Sequence, residues 1–416
     1  MARFTCARPG LLLLWAYAVV GMSAAHAAPS IQILSVPTYG SAGELQGVAT
    51  GVVDPQLYDV ATYFHVEGTG WWTEPNVATR TVPLNANGTF SLPILSNGLD
   101  ARATIFATAL VPKGYTPPAA AASGRIPAAL NSVAIDYTQR YSRTVQFGGY
   151  QWGVKESPGG AGPGFNRFSN SPQDVFVNNQ GLHLSVNKHA DNHWWATEVI
   201  NTKPLGYGTY IVQTNSRVGE IDPMVAFGAF TWDAFGDDTV GPSPNRELDF
   251  EDARFGFAAD PNTSQFVVQP FDVAGQLVRY KLPDPGADPA LTRIMVWTPE
   301  GIRFLALQGH HTATDFAPKD IIAEWLYTGS IPDPGRAAFR FNLWPANLLL
   351  GGTVPEPSNG LDQGVIVNGF FFTPVPEVSS WIALGAGLAA LFVWTAYRRI
   401  DGRRPRVVSL HDASSN

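Results

Sequence analysis

The sequence is short of cysteine, of charge and of helical periodicity, and each shortage removes a class of explanation. Its 416 residues include one cysteine, Cys6, close to the N-terminus in a segment that reads as a removable leader. The chain beyond that leader therefore has no disulfide, no thiol nucleophile and no thiolate metal site. An exported protein of this kind must rely on the size of its core, and the chain is long enough for that. Charged residues make up 15% of the sequence, and the formal net charge is −7. The leader adds two arginines, and the tail after Tyr397 adds five arginines against two aspartates, so the part between is more acidic still. Such a surface disfavours nucleic acid, whose binding depends on neutralising phosphate; a neutral polymer would not be repelled. No nucleophile-elbow motif occurs. The glycine-rich "GGAGPG" (Gly159 to Gly164) is followed by neither a lysine nor a helix signal, so it reads as a loop and not a phosphate cradle. His310 and His311 in "QGHHTATD" lack further ligands at useful spacing and read as a polar loop. No cofactor and no metal site is predicted; sandwiches often hold a structural calcium ion, but nothing in the sequence signals one.

Both ends read as addressing signals. Arg3 and Arg8 precede the apolar "LLLLWAYAVVGM" and the small residues "SAAHAA", the pattern of a secretory signal peptide cut after Ala27. Near the other end, "WIALGAGLAALFVWTAY" (Trp381 to Tyr397) is apolar and uncharged, and "RRIDGRRPR" follows at once. That length is near the lower limit for a membrane span, and the arginines fit a cytoplasmic tail with everything upstream outside. The segment "VPEVSSWIALGAGLAALFVWTAYRR" also resembles the PEP-CTERM sorting signal, with Val378 where the second proline would stand. The expected location is the cell envelope or surface, with the helix either retained in the membrane or removed during sorting.

Between the ends, 41 glycines and 33 prolines separate short alternating runs, the signature of an all-β chain. The first unit, 28–113, contains the opening strand "IQILSV", the hairpin "TVPLNANGTFSLPIL" turning at Asn87-Gly88, and "RATIFATALV". It reads as an immunoglobulin-like β-sandwich. Trp71 and Trp72 are adjacent within it, so one faces outward; a packed edge or a domain contact is preferred there to a sugar platform. Residues 114–131, "GYTPPAAAASGRIPAAL" and its flank, are rich in Pro, Ala and Gly and read as a linker. The second unit, 132–374, offers about ten or more antiparallel strands, which suit a two-sheet jelly roll. The apolar helix, 378–397, and the basic tail, 398–416, complete the chain.

One stretch of the second unit carries chemistry. "NRELDFEDARFG" places Glu247, Asp249 and Glu251 at alternate positions. On a strand they share one face, while Leu248 and Phe250 point to the other. Acids are depleted in strands, and three in a row repel one another unless a site uses them. Hydrolysis of a glycosidic bond would use them. It needs two carboxyl groups about 5–5.5 Å apart for retention of configuration, with pKa values pushed apart so that one attacks and the other donates a proton. Side chains leaning along a concave strand could close most of the roughly 13 Å between Cα atoms four residues apart. On the bare pattern, a solvated acidic strand competes with this reading, and context decides between them.

The context resembles glycoside hydrolase family 16, retaining β-glucanases and their relatives. "ELDFE" matches the family's Glu-(Ile/Leu)-Asp-(Ile/Phe/Val)-Glu signature, and "YGTYIVQTNSRV", "VAFGAFTWD", "IMVWTPEGIRFLAL" and "FRFNLWPAN" match neighbouring segments in family order over roughly Phe147 to Pro374. The resemblance implies a concanavalin A-like jelly roll, a polysaccharide substrate and a first unit acting as a spacer or accessory module. It implies Glu247 as nucleophile, Asp249 as its hydrogen-bonding assistant and Glu251 as general acid/base. It also implies Trp232 and Trp344 as sugar-stacking residues. Trp195, one of the adjacent pair Trp194 and Trp195, is a further substrate-contact candidate, and Trp297 is assigned to the core. Asp252 departs from the usual apolar residue after the last Glu and is expected to raise its neighbours' pKa if the strand continues past it. Two other readings stay open: a non-catalytic glycan-binding protein on the same scaffold, which would have no need of all three acids, and a structural protein of the envelope or matrix, which predicts no aromatic-lined cleft. The polysaccharide, its linkage and the oligomeric state are not legible.

Overall fold

The computed structural model describes residues 27–95, 98–235, 243, 245–286, 288–346 and 356–375. The leader up to residue 26, the apolar segment 378–397 and the basic tail 398–416 lie outside the described residues, and with them the expected signal peptide, membrane helix and sorting signal. Among the described residues no helix is long and apolar enough to cross a membrane. The chain is all-β, with 50% strand and 4% helix, and the helical elements described are three-residue 3-10 turns such as Pro55–Leu57 and Val218–Glu220.

The first unit is a two-sheet sandwich. Ser30–Ser35, Gly43–Thr50 and Thr89–Ile94 form one sheet. The other runs Ala121–Ser123, Gly70–Glu74, Tyr58–Val66, Ile105–Pro112 and Ala134–Gln139, with Thr81–Pro83 at the side of Tyr58–Val66. Leu45, Phe64, Phe90, Leu92 and Phe106 fill the space between them. Two of these strands fall where composition reads a linker and the start of the second unit. Ala121–Ser123 pairs with the Trp71–Trp72 strand, and Ala134–Gln139 pairs along Ile105–Pro112. Pro, Ala and Gly content marks weak local preference, and backbone pairing with a neighbouring edge overrides it.

The second unit is a larger sandwich. Its first sheet runs Thr144–Phe147, Tyr150–Val154, Trp194–Asn201, Ala338–Pro345, Val225–Trp232, Leu248–Ala253, Ser264–Val268 and Leu277–Tyr280, every neighbour antiparallel. Its second sheet runs Val175–Asn178, Gly181–Lys188, Gln363–Pro374, Gly208–Thr214, Leu291–Thr298, Gly301–Gln308 and Ile321–Tyr327. The core lies between these sheets. Phe250 of the acidic strand meets Phe304 of the opposite sheet edge-on at 5.6 Å, and Phe266 stacks on the same ring at 5.4 Å. Each such ring contributes roughly 2 kcal/mol by leaving water. Trp297 lies in this core as expected, fully buried, with its indole N–H donating to Pro332 O at 3.2 Å.

The strand Leu248–Ala253 does continue past Glu251, and alternation sends Asp252 to the inner face, away from the acidic triplet. There it pairs with Arg293 of the opposite sheet and accepts from Ser264 Oγ at 2.5 Å. Its effect on Glu251 is a minor one, because Arg293 compensates the charge. Both partners are 1% exposed, so this ion pair ties the two sheets together in a dry interior. Breaking a buried pair leaves one charge uncompensated, whereas replacing both partners by apolar groups does not. Asp252→Ala should therefore lower unfolding free energy by roughly 3–5 kcal/mol, and the Asp252→Leu, Arg293→Met double variant should recover most of it. Urea denaturation of the three proteins checks this; equal destabilisation by the single and double changes would contradict it.

Candidate active site

The acidic strand begins from an unusual turn. Asn245 and Arg246 both adopt left-handed backbone, φ 44° and 53°, a conformation that costs non-glycine residues of order 1 kcal/mol or more each. Side chains hold it in place. Arg246 pairs with Asp233 at 3.0 Å and with Asp333 at 3.2 Å, and Asn245 Nδ2 donates to Asp233 O at 3.0 Å. Glu247 follows immediately, its backbone N–H donating to Ser243 Oγ at 3.0 Å. From there Glu247, Asp249 and Glu251 face away from the core while Leu248 and Phe250 enter it.

Directly opposite residues of antiparallel strands share a face. The register therefore builds one row across six strands: Arg279, Gln265, Glu251, Gly228, Asn342 and Glu198. Glu251 is oriented within this row. Arg279 donates to Gln265 Oε1 at 2.6 Å, which turns the amide NH2 toward Glu251 Oε2, also at 2.6 Å. Gly228 is glycine for a steric reason, since a Cβ there would lie 2.5 Å from Asn342 Oδ1. Beyond Asn342, Glu198 is 1% exposed and receives Arg340 at 2.8 Å and Lys155 at 3.2 Å.

All three acids line one cavity of about 580 Å³, together with Trp232 and Trp344, a size common for small-ligand sites. Trp232 is partly open, with the Arg340 guanidinium 6.0 Å from its ring centre. Trp344 is only 8% exposed and packs among Phe168, Ala196 and Ala226, leaving little of its ring available. Trp195 is not among the lining residues. It stacks on His189 at 5.1 Å, while its neighbour Trp194 turns into the core. Among the described residues no cluster of three or more His, Cys, Asp or Glu is arranged to hold a metal ion.

The triplet is electrostatically loaded. Burial, then the charge of Glu251, pushes Glu247 up to about 8, with Arg340 opposing the rise. Burial and both flanking glutamates push Asp249 well above the usual carboxylate range, against one hydrogen bond from Gln269 Nε2 at 2.9 Å. Burial also raises Glu251, tempered by Gln265 and Arg279. At neutral pH the group therefore keeps at least one proton, which is what a general acid requires.

Pattern reading of the sequence misses Glu198, Arg340, Asn342 and Lys155. Each is a polar residue within or at the end of an otherwise apolar strand, "WWATEVIN", "AFRFNLW" or "QWGVK", and that is the signal that could have found them. It also misses His65 and Glu67, which reach the cavity from the first unit and for which the sequence offers no cue.

No family model matches the chain, and no curated protein matches it. Several solved structures are similar to it. A protein described as a native glycosidic hydrolase shares 20% identity over 54% of this chain and 90% of its own, with a TM-score of 0.38. A prokaryotic β-1,3-1,4-glucanase (lichenase) from a mouse hindgut metagenome shares 17% over 54% of this chain and 93% of its own, TM-score 0.39. A glycoside hydrolase family 16 endo-glucanase from Bacteroides ovatus shares 10% over 53% of this chain and 94% of its own, TM-score 0.36.

Carboxyls raised by folding favour the folded state below their ordinary pKa and lose that contribution as pH rises through the folded value. For Glu247 the window runs from about 4.5 to about 8. Asp249→Asn removes one buried negative charge, and its amide remains neutral throughout. The variant should match the wild type near pH 4, close to the ordinary aspartate value of 3.8, and exceed it increasingly as the pH rises to 8, by roughly 1–3 kcal/mol or more. Glu74 of the first unit, raised to about 8 by burial and Asp100, titrates in the same window. The readout is therefore the variant-minus-wild-type difference in thermal unfolding. A difference that stays flat from pH 5 to 8 would refute the electrostatic picture.

Proposed function

We propose that the protein is an exported glycosidase that cleaves, or transglycosylates, a β-linked polysaccharide with retention of configuration, on a concanavalin A-like jelly roll. The observation that carries this reading is the single-faced triplet Glu247, Asp249 and Glu251 inside an aromatic-lined cavity, buried, mutually repelling and partly protonated. A glycan-binding protein gains nothing from holding three such acids at this cost, and an aromatic-lined cavity is foreign to a purely structural role. The leader and the C-terminal apolar segment with its arginines support action in the cell envelope or at its surface.

In the proposed reaction the carboxylate of Glu247 attacks the anomeric carbon; because burial and Glu251 hold Glu247 at about 8, the reacting form is the one in which the triplet's shared proton sits on Glu251. Glu251 gives its proton to the departing glycosidic oxygen, and a covalent glycosyl-enzyme forms. Glu251, now ionised, takes a proton from water, whose oxygen displaces Glu247 and regenerates both groups. Asp249 lies between the two, held by Gln269, and by the motif resemblance its role is to assist the nucleophile by hydrogen bonding. The order of roles follows the motif resemblance. The surrounding cations act on both ends, Arg340 on Glu247 and Arg279 through Gln265 on Glu251.

Glu247→Gln should lower kcat by about 10³-fold or more while leaving glycan binding and folding nearly intact. Azide added to Glu247→Ala should restore turnover and yield a glycosyl azide of inverted configuration. With Glu251→Ala, azide should yield the retained one. The opposite pair of products would exchange the two roles, and full activity in Glu247→Gln, tested on laminarin, mixed-linkage glucan, agar and carrageenan, would sink the assignment.

A further inference from the structure

The first sandwich is more than a spacer. The turn between Tyr58–Val66 and Gly70–Glu74 rests against the second unit: a Cβ added to Gly68, at φ +75°, would lie 3.0 Å from Gly160 O and 3.1 Å from Ser157 Oγ. The same hairpin is anchored beside its turn by aromatic packing. Trp71, 1% exposed, meets Phe235 of the second unit at 6.1 Å, and Phe235 meets Tyr137 at 4.2 Å. Between these two anchors the hairpin turns His65 and Glu67 toward the cavity that holds the acidic triplet.

The cavity ends in polar groups drawn from both units. Glu67 Oε2 lies 3.8 Å from Lys155 Nζ, and Lys155 bridges to Glu198, which Arg340 also holds. Burial works to raise the Glu67 carboxyl, but Lys155, with His65 and Arg340, keeps it below its ordinary value. The cations and anions here balance, and the acidic triplet lies beyond them, so this end suits a neutral hydroxyl-rich group and not a sulfated or carboxylated one. His65 and Glu67, which line the cavity, keep 21% and 16% of their side chains exposed, enough for a sugar hydroxyl to reach them. From the acidic strand to the strand of Glu198 is three strand spacings, about 14 Å at about 4.8 Å each. A short run of pyranose rings fits before the hairpin stops the chain.

We propose that this hairpin closes one end of the cleft, and that His65 and Glu67 are specificity-determining residues that hold the terminal residue of a neutral glycan chain, so that cleavage is counted from a chain end. This inference rests on the glycosidase reading above.

The test uses the full chain on whichever of laminarin, mixed-linkage glucan or agar it cleaves; cleavage confined to sulfated carrageenan would overturn the inference. Early products should be dominated by one short oligosaccharide, with viscosity falling slowly relative to reducing ends. Glu67→Gln and His65→Ala, each checked for folding by thermal unfolding, should broaden the product lengths and raise KM for a short oligosaccharide about tenfold, more than they alter kcat. A ladder of all product lengths from the wild-type protein would overturn the inference while leaving the glycosidase reading intact, and that result needs no variant. Unchanged KM and product pattern in both folded variants would also overturn it. Absence of cleavage on every polymer by the folded wild-type protein would instead remove the glycosidase reading and this one with it.

Discussion

The two faces of the strand Leu248–Ala253 are solvated in opposite ways, and the site depends on that difference. Leu248 and Phe250 enter an aromatic core that crosses from one sheet to the other. Their burial fixes the register, because a slip of one residue would drive acids into hydrocarbon and apolar rings into the cavity. Glu247, Asp249 and Glu251 are thereby committed to one face, however much they repel. Asp252 follows the same rule and would be a liability on the inner face without Arg293 opposite it.

Repulsion within the triplet is contained by the residues around it. The row from Arg279 to Glu198 supplies a cation at one end and amides between, and Arg340 and Lys155 gather around Glu198 at the other, so that each carboxyl has a different environment. Differences of this kind separate pKa values and let chemically identical groups take different roles. The left-handed turn at Asn245 and Arg246, with its ion pairs, adds local strain at the start of the strand. Destabilising features of this kind gather at functional sites and are offset by packing elsewhere, here by two well-filled sandwich cores.

The junction between the units belongs to the same design. Trp71 and Phe235 make the first sandwich part of the cavity's surroundings instead of a tethered neighbour. Strands in the supposed linker and at the supposed start of the second unit join the first sandwich, which leaves little free chain between the units to let them move apart.

Much of this was legible in the residues themselves. Period-two alternation, turn residues and the absence of helical periodicity specify an all-β chain in two units, because those signals are local. The acidic triplet could be read in the same way, since neighbours on one strand determine each other's facing. Trp232 and Trp344 reach the acids' cavity as the motif order implied, whereas Trp195 faces a different surface, because adjacency says only that one of two rings turns outward and not toward what. Glu198, Arg340 and Asn342 needed the register, since residues from separate strands meet only once hydrogen bonding aligns them. His65 and Glu67 needed the packing of one sandwich on another, contacts between segments about 90 to 160 residues apart that no local pattern encodes. Residue type and strand position show which side chains share a face, whereas packing settles which of them share one cavity, because burial there is what lifts the carboxyls above their ordinary range.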